Sequence, residues 1–406
     1  MARIVQKFGG TSVADVEHIR RAAERVKAEV ECGNQVAVVV SAMAGVTNQL
    51  VDWVSAASPT YDPREYDVVV STGEQVNCGL MALVLQEMGI PARSWLGWQI
   101  PLATTDAHGR ARVHEVDIAG IAQQWSDGEV PVIAGFQGIG PDGRVTTLGR
   151  GGSDISAVAL AATLGAERCD IFTDVDGVYT ADPRIVAKAR KLDKITYEEM
   201  LEMASQGARI LQTRSVELAM KNGVRVHVRS SFEDLPGTLV VDEEEIVEQQ
   251  VVSGIAYSRD EAKITLVQVP DRPGVAAAIF GPLADAGVNV DMIVQSTASD
   301  GKTTDITFTV AKSDFERCVE LLEEARETLD FKALVPDSGI VKVSVIGVGM
   351  RSHAGVAQAM FRTLSEKGIN IQAISTSEIK VSVLIAEEYA ELALRALHTV
   401  YGLDAE

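Results

Sequence analysis

From residue 1 to about 240, short runs of β-branched residues alternate with longer segments whose apolar positions recur at helical spacing. That alternation is the signature of an α/β sandwich around a mostly parallel sheet. The pattern predicts strands at 3–7 (RIVQK), 36–41 (VAVVVS), 67–71 (DVVVS), 92–96 (ARSWL), 130–134 (VPVIA), 169–173 (CDIFT) and 224–228 (VRVHV), with helices over 13–31, 76–89, 153–164 and 196–221. The first helix has Thr11 or Ser12 available as its N-cap, and Asp15 and Glu17 sit near its positive end.

Beyond the last of these strands the pattern shifts through SSFEDLPGTLVVDEEEIVEQQ, where Pro236-Gly237 marks a turn. The acidic run Asp242 to Glu245 reads as a solvated boundary or, taken alone, equally as a charged surface face. The chain beyond it holds an internal repeat: RPGVAAAIFGPLADAGVNVDMI (272–293) matches HAGVAQAMFRTLSEKGINIQAI (353–374) at a constant offset of 81. Gly274, Phe280, Leu283 and Gly287 fall on Gly355, Phe361, Leu364 and Gly368. Each copy has a strand before it (263–269, 342–348), then a strand (305–310, 379–385) and a helix (313–328, 387–400) after it. Both copies therefore read as ferredoxin-like β-α-β-β-α units. The expected division is 1–240, 250–335 and 336–406, with the last two units intertwined.

Length and composition fit this picture. A chain of 406 residues with 46% hydrophobic content suits two or three folded domains. A formal net charge of −20 disfavours a nucleic-acid backbone or an anionic membrane as partner, so an anionic ligand must meet locally concentrated lysines and arginines. Cys32, Cys78, Cys169 and Cys318 form no CxxC pair, which supports neither a zinc site nor a disulfide framework and suits a reducing compartment. No stretch reads as long enough to span a bilayer, which takes roughly 18–20 apolar residues, and the N-terminus has no apolar signal core. A soluble, cytoplasmic protein is expected.

Five stretches can carry chemistry. KFGGTSV places Lys7, Gly9, Gly10, Thr11 and Ser12 between a strand and a helix, where glycines permit close backbone approach and a helix start favours an anion. By itself this stretch reads as a plain glycine turn. In SAMAGVTNQL, Ser41 and Thr47 can donate to a ligand, or Thr47 can cap a helix near Asn48. In STGEQVNCG, Glu74 is either first-turn capping chemistry or a partner for a ligand ammonium. TTLGRGGSDISAVALAA puts Arg150 among Gly149, Gly151 and Gly152 ahead of Ser153 and Asp154. So much glycine is an entropic cost that a plain helix start does not require, and an arginine there suits bidentate capture of a carboxylate or phosphate. TDVDGVYTADPRIV is a surface loop by its Asp-Gly and Asp-Pro signals, or a nucleotide contact through Thr173, Asp174, Tyr179, Asp182 and Arg184. All five are expected to follow strand ends, where open α/β sheets bind ligands.

In this order the five stretches resemble the aspartokinases of the amino-acid kinase family, and the repeat looks like that family's paired ACT domains, so the likeness spans nearly the whole chain. The resemblance implies a three-layer amino-acid kinase fold followed by two βαββαβ ACT units. It implies ATP- and Mg²⁺-dependent phosphorylation of L-aspartate to 4-phospho-L-aspartate, the entry to lysine, threonine, methionine and, in bacteria, diaminopimelate. By resemblance, Lys7 and Asp154 are catalytic, with Asp154 organising Lys7 and the metal–phosphate cluster. ATP falls to Lys7, Phe8, Gly9, Gly10, Ser41, Thr173, Asp174, Tyr179, Asp182, Pro183 and Arg184. Arg209, in QGARIL, stands where the family often has a nucleotide-contacting lysine. Thr47, Glu74, Arg150, Gly151, Gly152 and Ser153 are implied to hold aspartate, Arg150 on a carboxylate and Glu74 on the ammonium.

The resemblance also implies amino-acid effectors, lysine and threonine together, bound through Gly274, Ala276, Asp291, Gln295, Asn370, Ile371, Ser377 and Glu378. It implies a homo-oligomer, or a hetero-oligomer with a short ACT-only chain. None of the six histidines falls in the five stretches, which fits a reaction whose carboxylate nucleophile is already ionised and needs no base. Two other readings are a kinase for glutamate or acetylglutamate and a catalytically silent amino-acid sensor.

Overall fold

The computed structural model describes residues 1–100, 102–208, 210–246, 250–297, 301–353 and 355–404, which divide into two compact units. The first holds residues 1–178, 191–204 and 210–246. Its elements run β1 (Arg3–Phe8), α1 (Val16–Glu31), β2 (Gln35–Val40), α2 (Val46–Ala57), α3 (Pro63–Val70), α4 (Thr72–Glu87), β3 (Ala92–Trp95), β4 (Leu102–Thr104), β5 (Val113–Val116) and α5 (Ala119–Ser126). They continue with β6 (Val130–Ala134), β7 (Gln137–Ile139), β8 (Val145–Thr147), α6 (Gly152–Leu164), β9 (Arg168–Thr173), β10 (Lys194–Thr196), α7 (Tyr197–Ser205), α8 (Thr213–Asn222), β11 (Val226–Ser230) and β12 (Thr238–Val241).

Among the described residues eight strands form the main sheet, ordered β10-β12-β11-β9-β1-β2-β6-β3 and parallel except between β11 and β12. β1 and β2 are buried at every position after their first residue because both faces are covered. On one face α1 and α4 bury Ile19, Met81 and Leu85 against Val36, Val38 and Val40. On the other, α6 packs on β1 and against α8. The result is a three-layer sandwich, with a small sheet β5-β4-β7-β8 beside it.

Several expectations change. The run 67–71, predicted as a strand, is the end of helix α3. Asp62 caps that helix by accepting the Arg64 N–H at 2.9 Å, Pro63 holds its first position, and Asp67 is fully buried among polar partners, so tertiary context overrides the β propensity of three valines. The first helix starts at Val16 with Asp15 as its cap, whose carboxylate accepts the His18 N–H at 2.8 Å; Thr11 and Ser12 lie in a separate 3₁₀ turn. The segment 196–221 is two helices, α7 and α8. Against the sequence expectation, the helical stretch Pro63–Glu87 is long and apolar enough to cross a membrane by length and composition, but over half of its apolar window is buried inside the fold.

The second unit holds Tyr179–Arg190, Ser205–Ala208 and the chain from 250. Its elements are β13 (Gly254–Ser258), β14 (Ala262–Pro270), α9 (Val275–Asp285), β15 (Val290–Thr297), β16 (Thr303–Val310), α10 (Phe315–Glu324), α11 (Arg326–Leu329) and β17 (Ala333–Asp337). Then come β18 (Ile340–Ile346), α12 (Val356–Glu366), β19 (Ala373–Thr376), β20 (Lys380–Ala386) and α13 (Ala390–Val400). The strands make two antiparallel sheets, β15-β16-β14-β17 and β19-β20-β18-β13. The second sheet thus takes its outer strand from chain that precedes the first repeat. α9 and α12 start and stop at the offset of 81 seen in sequence, each behind a glycine with φ of +92° (Gly274) or +102° (Gly355).

Candidate active site

Lys7, Gly10, Ser41, Thr47, Glu74 and the run Arg150–Asp154 line one cleft of about 280 Å³ in the first unit. KFGGTSV and SAMAGVTNQL leave the ends of β1 and β2, and the Arg150 loop leaves β8 of the small sheet. STGEQ does not follow a strand: it opens α4 directly after α3, which corrects the expectation for that stretch.

The Lys7 ammonium lies 2.6 Å from the Asp154 carboxylate, and both side chains are about nine-tenths buried. Asp154 stands in the first turn of α6, whose N-terminal residues border the cleft. A cation and a positive helix end therefore meet at one place, a setting that favours an anion. Glu74 is 4% exposed; its Oε1 accepts the Ala42 N–H at 3.1 Å while its Oε2 has no hydrogen-bond partner among the described residues. Burial pushes its carboxyl up to about 7, against the pull of that backbone hydrogen bond. A half-satisfied buried acid facing a cleft is built to receive a cationic donor. Arg150 is exposed at the cleft edge, and among the described residues no carboxylate pairs with it.

The glycines have local reasons. A Cβ on Gly10 would sit 3.0 Å from the Ala42 carbonyl oxygen, so a side chain there would push the loops after β1 and β2 apart by a few tenths of an ångström. Gly151 caps α6 with φ of +72°, and a Cβ there would fall 1.9 Å from Gln212 Cγ. Gly45, with φ of +83°, is the residue at the N-cap of α2, which leaves Thr47 in the first turn and on the cleft wall.

Other predicted residues lie elsewhere. Phe8 is buried and stacks on Phe172 at 4.8 Å, and Gly9 donates its N–H to the Phe172 carbonyl at 3.1 Å; both support the cleft floor without lining it. Thr173 ends β9 and Asp174 follows it, the threonine hydroxyl donating to the aspartate at 3.1 Å. Tyr179, Asp182, Pro183 and Arg184 belong to the second unit, where Asp182 accepts from Arg184 Nη2 at 2.8 Å and from the Tyr257 hydroxyl at 3.3 Å. Arg209 lies outside the described residues.

Phe136, which the sequence does not single out, lines the cleft with φ of +67°, a conformation that costs a non-glycine residue energy and persists only where surroundings impose it. Its N–H donates to the Ser156 hydroxyl at 3.1 Å and its carbonyl accepts from Leu148 N–H at 2.9 Å, so it braces the Arg150 loop. The available signal is its place after β6, in the glycine-rich run AGFQGIG. Asn77 is likewise absent from the expected set; its amide donates to the Ser41 carbonyl at 2.8 Å. Among the described residues no group of three or more His, Cys, Asp or Glu is placed to hold a metal ion.

A profile of the amino acid kinase family matches residues 2–230, and ACT domain profiles match 263–327 and 343–401. The aspartate kinase of Stutzerimonas stutzeri (strain A1501) is 55% identical over 406 residues, covering 100% of this chain and 98% of its own. This chain belongs to the aspartokinases of the amino acid kinase family. It is an enzyme of that type, with ACT domains that imply allosteric control. Among solved structures it is similar to Escherichia coli aspartokinase III in complex with aspartate and ADP (R-state), at a TM-score of 0.82 and 28% identity over 98% of this chain and 99% of that one. The same enzyme in complex with lysine and aspartate (T-state) gives 0.77 and 29% over 98% of each.

The aspartokinase ACT repeats carry the candidate effector residues. Gly274 is the N-cap of α9 and Ala276 lies in its first turn; Asp291 and Gln295 are on β15; Asn370 and Ile371 precede β19; Ser377 and Glu378 join β19 to β20. Asp291 is engaged by the Lys342 ammonium at 2.7 Å, and Lys342 also meets Glu261 at 2.5 Å. Glu378 lies 3.6 Å from Arg351, and the Ser377 N–H donates to the Lys380 carbonyl at 2.8 Å.

Proposed function

We propose that the enzyme transfers the γ-phosphoryl group of ATP to the side-chain carboxylate of L-aspartate, giving ADP and 4-phospho-L-aspartate, the first step toward the aspartate-derived amino acids. The observation that carries this reading is the single cleft that joins the Lys7–Asp154 pair to buried Glu74 and to the Arg150 loop. The similarity to E. coli aspartokinase III bound to aspartate and ADP supports the same substrates.

In this reading Glu74 takes the substrate ammonium, which supplies the charge partner its buried carboxylate lacks, and Arg150 takes the α-carboxylate bidentately. Thr47 and Ser153 add hydroxyl contacts, and Gly151 and Gly152 let the backbone approach. The β-carboxylate, with an ordinary pKa near ~3.9, attacks as the anion, so catalysis is alignment and charge neutralisation. Lys7 neutralises charge on the transferred phosphoryl, aided by the helix start behind Gly151, and Asp154 holds the Lys7 ammonium in place. Mg²⁺ enters as part of the MgATP substrate and supplies further phosphate neutralisation. The remaining nucleotide contacts fall to Ser41, Thr173, Asp174, Tyr179, Asp182, Pro183, Arg184 and Arg209. Lysine and threonine acting on the ACT repeats shift the enzyme toward a less active state, which requires that they bind the two states differently.

Aspartate- and MgATP-dependent acyl-hydroxamate formation tests the reaction. Turnover with aspartate that collapses in Lys7→Ala is expected; equal turnover with glutamate, or ATP-independent product, overturns it. The same assay with lysine and threonine, alone and combined, tests the effectors.

A further inference from the structure

The loop that carries Arg150 is held from two sides by charged groups for which the proposed chemistry has no use. On one side is Asp67, fully buried near the end of α3. It accepts the Gly109 N–H at 3.0 Å, the Thr147 N–H at 3.0 Å and the Thr147 hydroxyl at 2.5 Å, and His108 Nδ1 lies 2.7 Å away. Thr147 ends β8, three residues before Arg150. On the other side Arg214 of α8 donates one guanidinium nitrogen to the Leu148 carbonyl at 2.6 Å and another to the Ala111 carbonyl at 2.8 Å. The two strips so gripped also hold each other: the Ala111 N–H donates to the Thr147 carbonyl at 2.9 Å, and Gly149, with φ of +77°, passes so close that a Cβ would lie 3.0 Å from the Gly109 carbonyl oxygen.

A buried carboxylate is a costly way to gain stability, since apolar packing of the same volume does that as well or better. What directional hydrogen bonds add is a fixed position. The fork of Arg214 holds two carbonyls at a set separation, which a lysine point charge does not. We propose that Asp67 and Arg214 are positioning residues that set the backbone from which Arg150 reaches the substrate carboxylate. The proposal rests on the reading of Arg150 given above. Because a shift of about 1 Å in a substrate-holding group is enough to cost up to about a hundredfold, the clamp governs aspartate binding while leaving the nucleotide end untouched.

Steady-state kinetics on the full chain test this, with Arg150→Ala measured in parallel. Arg214→Met is expected to raise the KM for aspartate at least tenfold, with kcat and the KM for MgATP within about threefold, and Arg214→Lys to recover part of the loss. Thr147→Val, which removes one hydroxyl and keeps the side-chain shape, is expected to raise the aspartate KM severalfold and reports on the Asp67 side even where Asp67→Asn does not fold. An unchanged aspartate KM in Arg214→Met or Thr147→Val overturns the clamp. So does a parallel rise of both KM values with a lowered melting temperature, which is support of the fold alone. If Arg150→Ala raises the aspartate KM and the clamp variants do not, only the positioning proposal fails. If Arg150→Ala leaves it unchanged, the carboxylate reading of Arg150 fails first and the clamp with it.

Discussion

The Lys7 ammonium and the Asp154 carboxylate, 2.6 Å apart, join the penultimate residue of the chain's first strand to the first turn of α6, a helix distant in sequence. Replacing Asp154 by Asn keeps the shape and removes the charge that holds Lys7. A fall in kcat of about 10²-fold is expected, near the size of losing one charge-stabilising donor, and Lys7→Ala is expected to cost as much or more. Because the two act as a unit, the double variant should be little worse than Lys7→Ala alone. Additive losses in the double variant would separate their roles.

Glu74 gives a pH prediction whose sign is set by burial. Its carboxyl rises from the ordinary 4.5 to about 7 in the ligand-free fold. The unfolded chain therefore gives up this proton first as pH rises, so the group lowers stability progressively between about 4.5 and 7 and by a constant amount above. That amount is about 3 kcal/mol at pH 8. Glu74→Gln should raise the melting temperature of the ligand-free protein at pH 8 by several degrees and by almost nothing at pH 4.5. The same change should abolish tight aspartate binding, because the ammonium loses its counter-charge. In the unaltered protein the KM for aspartate should climb about tenfold per pH unit below 7, and Glu74→Gln should flatten that slope.

How far the sequence discloses this site depends on the residue. The Arg150 loop stands out because its glycines answer a backbone need, KFGGTSV reads alone as a plain turn and gains its meaning only as one of five ordered stretches, and the 81-residue offset of the repeat survives in the matched bounds of α9 and α12. The DVVVS run misleads because three valines argue strand locally, whereas Asp67 beside them has its partners only in the fold. The small sheet escapes notice since β4, β7 and β8 have three residues each, too few for a period to show. Phe136 escapes it because positive φ is a property of the packed loop and leaves no mark on a phenylalanine. Asp182 and Arg184 look like part of a nucleotide loop, and the structure adds that Ala181 and Val186 near them pack in the core of the second unit.

Gly151 should tolerate no side chain. A methyl group there meets Gln212 at 1.9 Å and also forces an L-residue to φ of +72°, a strain of about 1–2 kcal/mol. Gly151→Ala is expected to raise the aspartate KM by about tenfold or more. Adding Gln212→Ala removes the clash but not the strain, so the double variant should recover only part of the loss. Full recovery would show that crowding alone matters; none would show that the backbone conformation does.

Lys342 ties the two ACT sheets through opposite charges. It lies on β18 with 3% of its side chain exposed, 2.5 Å from Glu261 and 2.7 Å from Asp291, which is on β15 of the other sheet. Burial alone would lower its pKa, but the two carboxylates outweigh burial and raise it, so the ammonium stays charged. Lys342→Met leaves Glu261 largely buried without its cation, and breaking such a pair costs about 3–5 kcal/mol. Loss of cooperative melting in the ACT portion is the expected readout, with Lys342→Met/Glu261→Gln recovering much of it by removing the orphaned charge. Asp291 is also a candidate effector residue, and freeing it from Lys342 makes its carboxylate available to an amino-acid ammonium. If lysine and threonine act as proposed, their inhibition curves on the double variant should therefore shift relative to the unaltered enzyme. Curves that superimpose while the melting behaviour changes would mean that this ion pair holds the sheets together and takes no part in effector recognition.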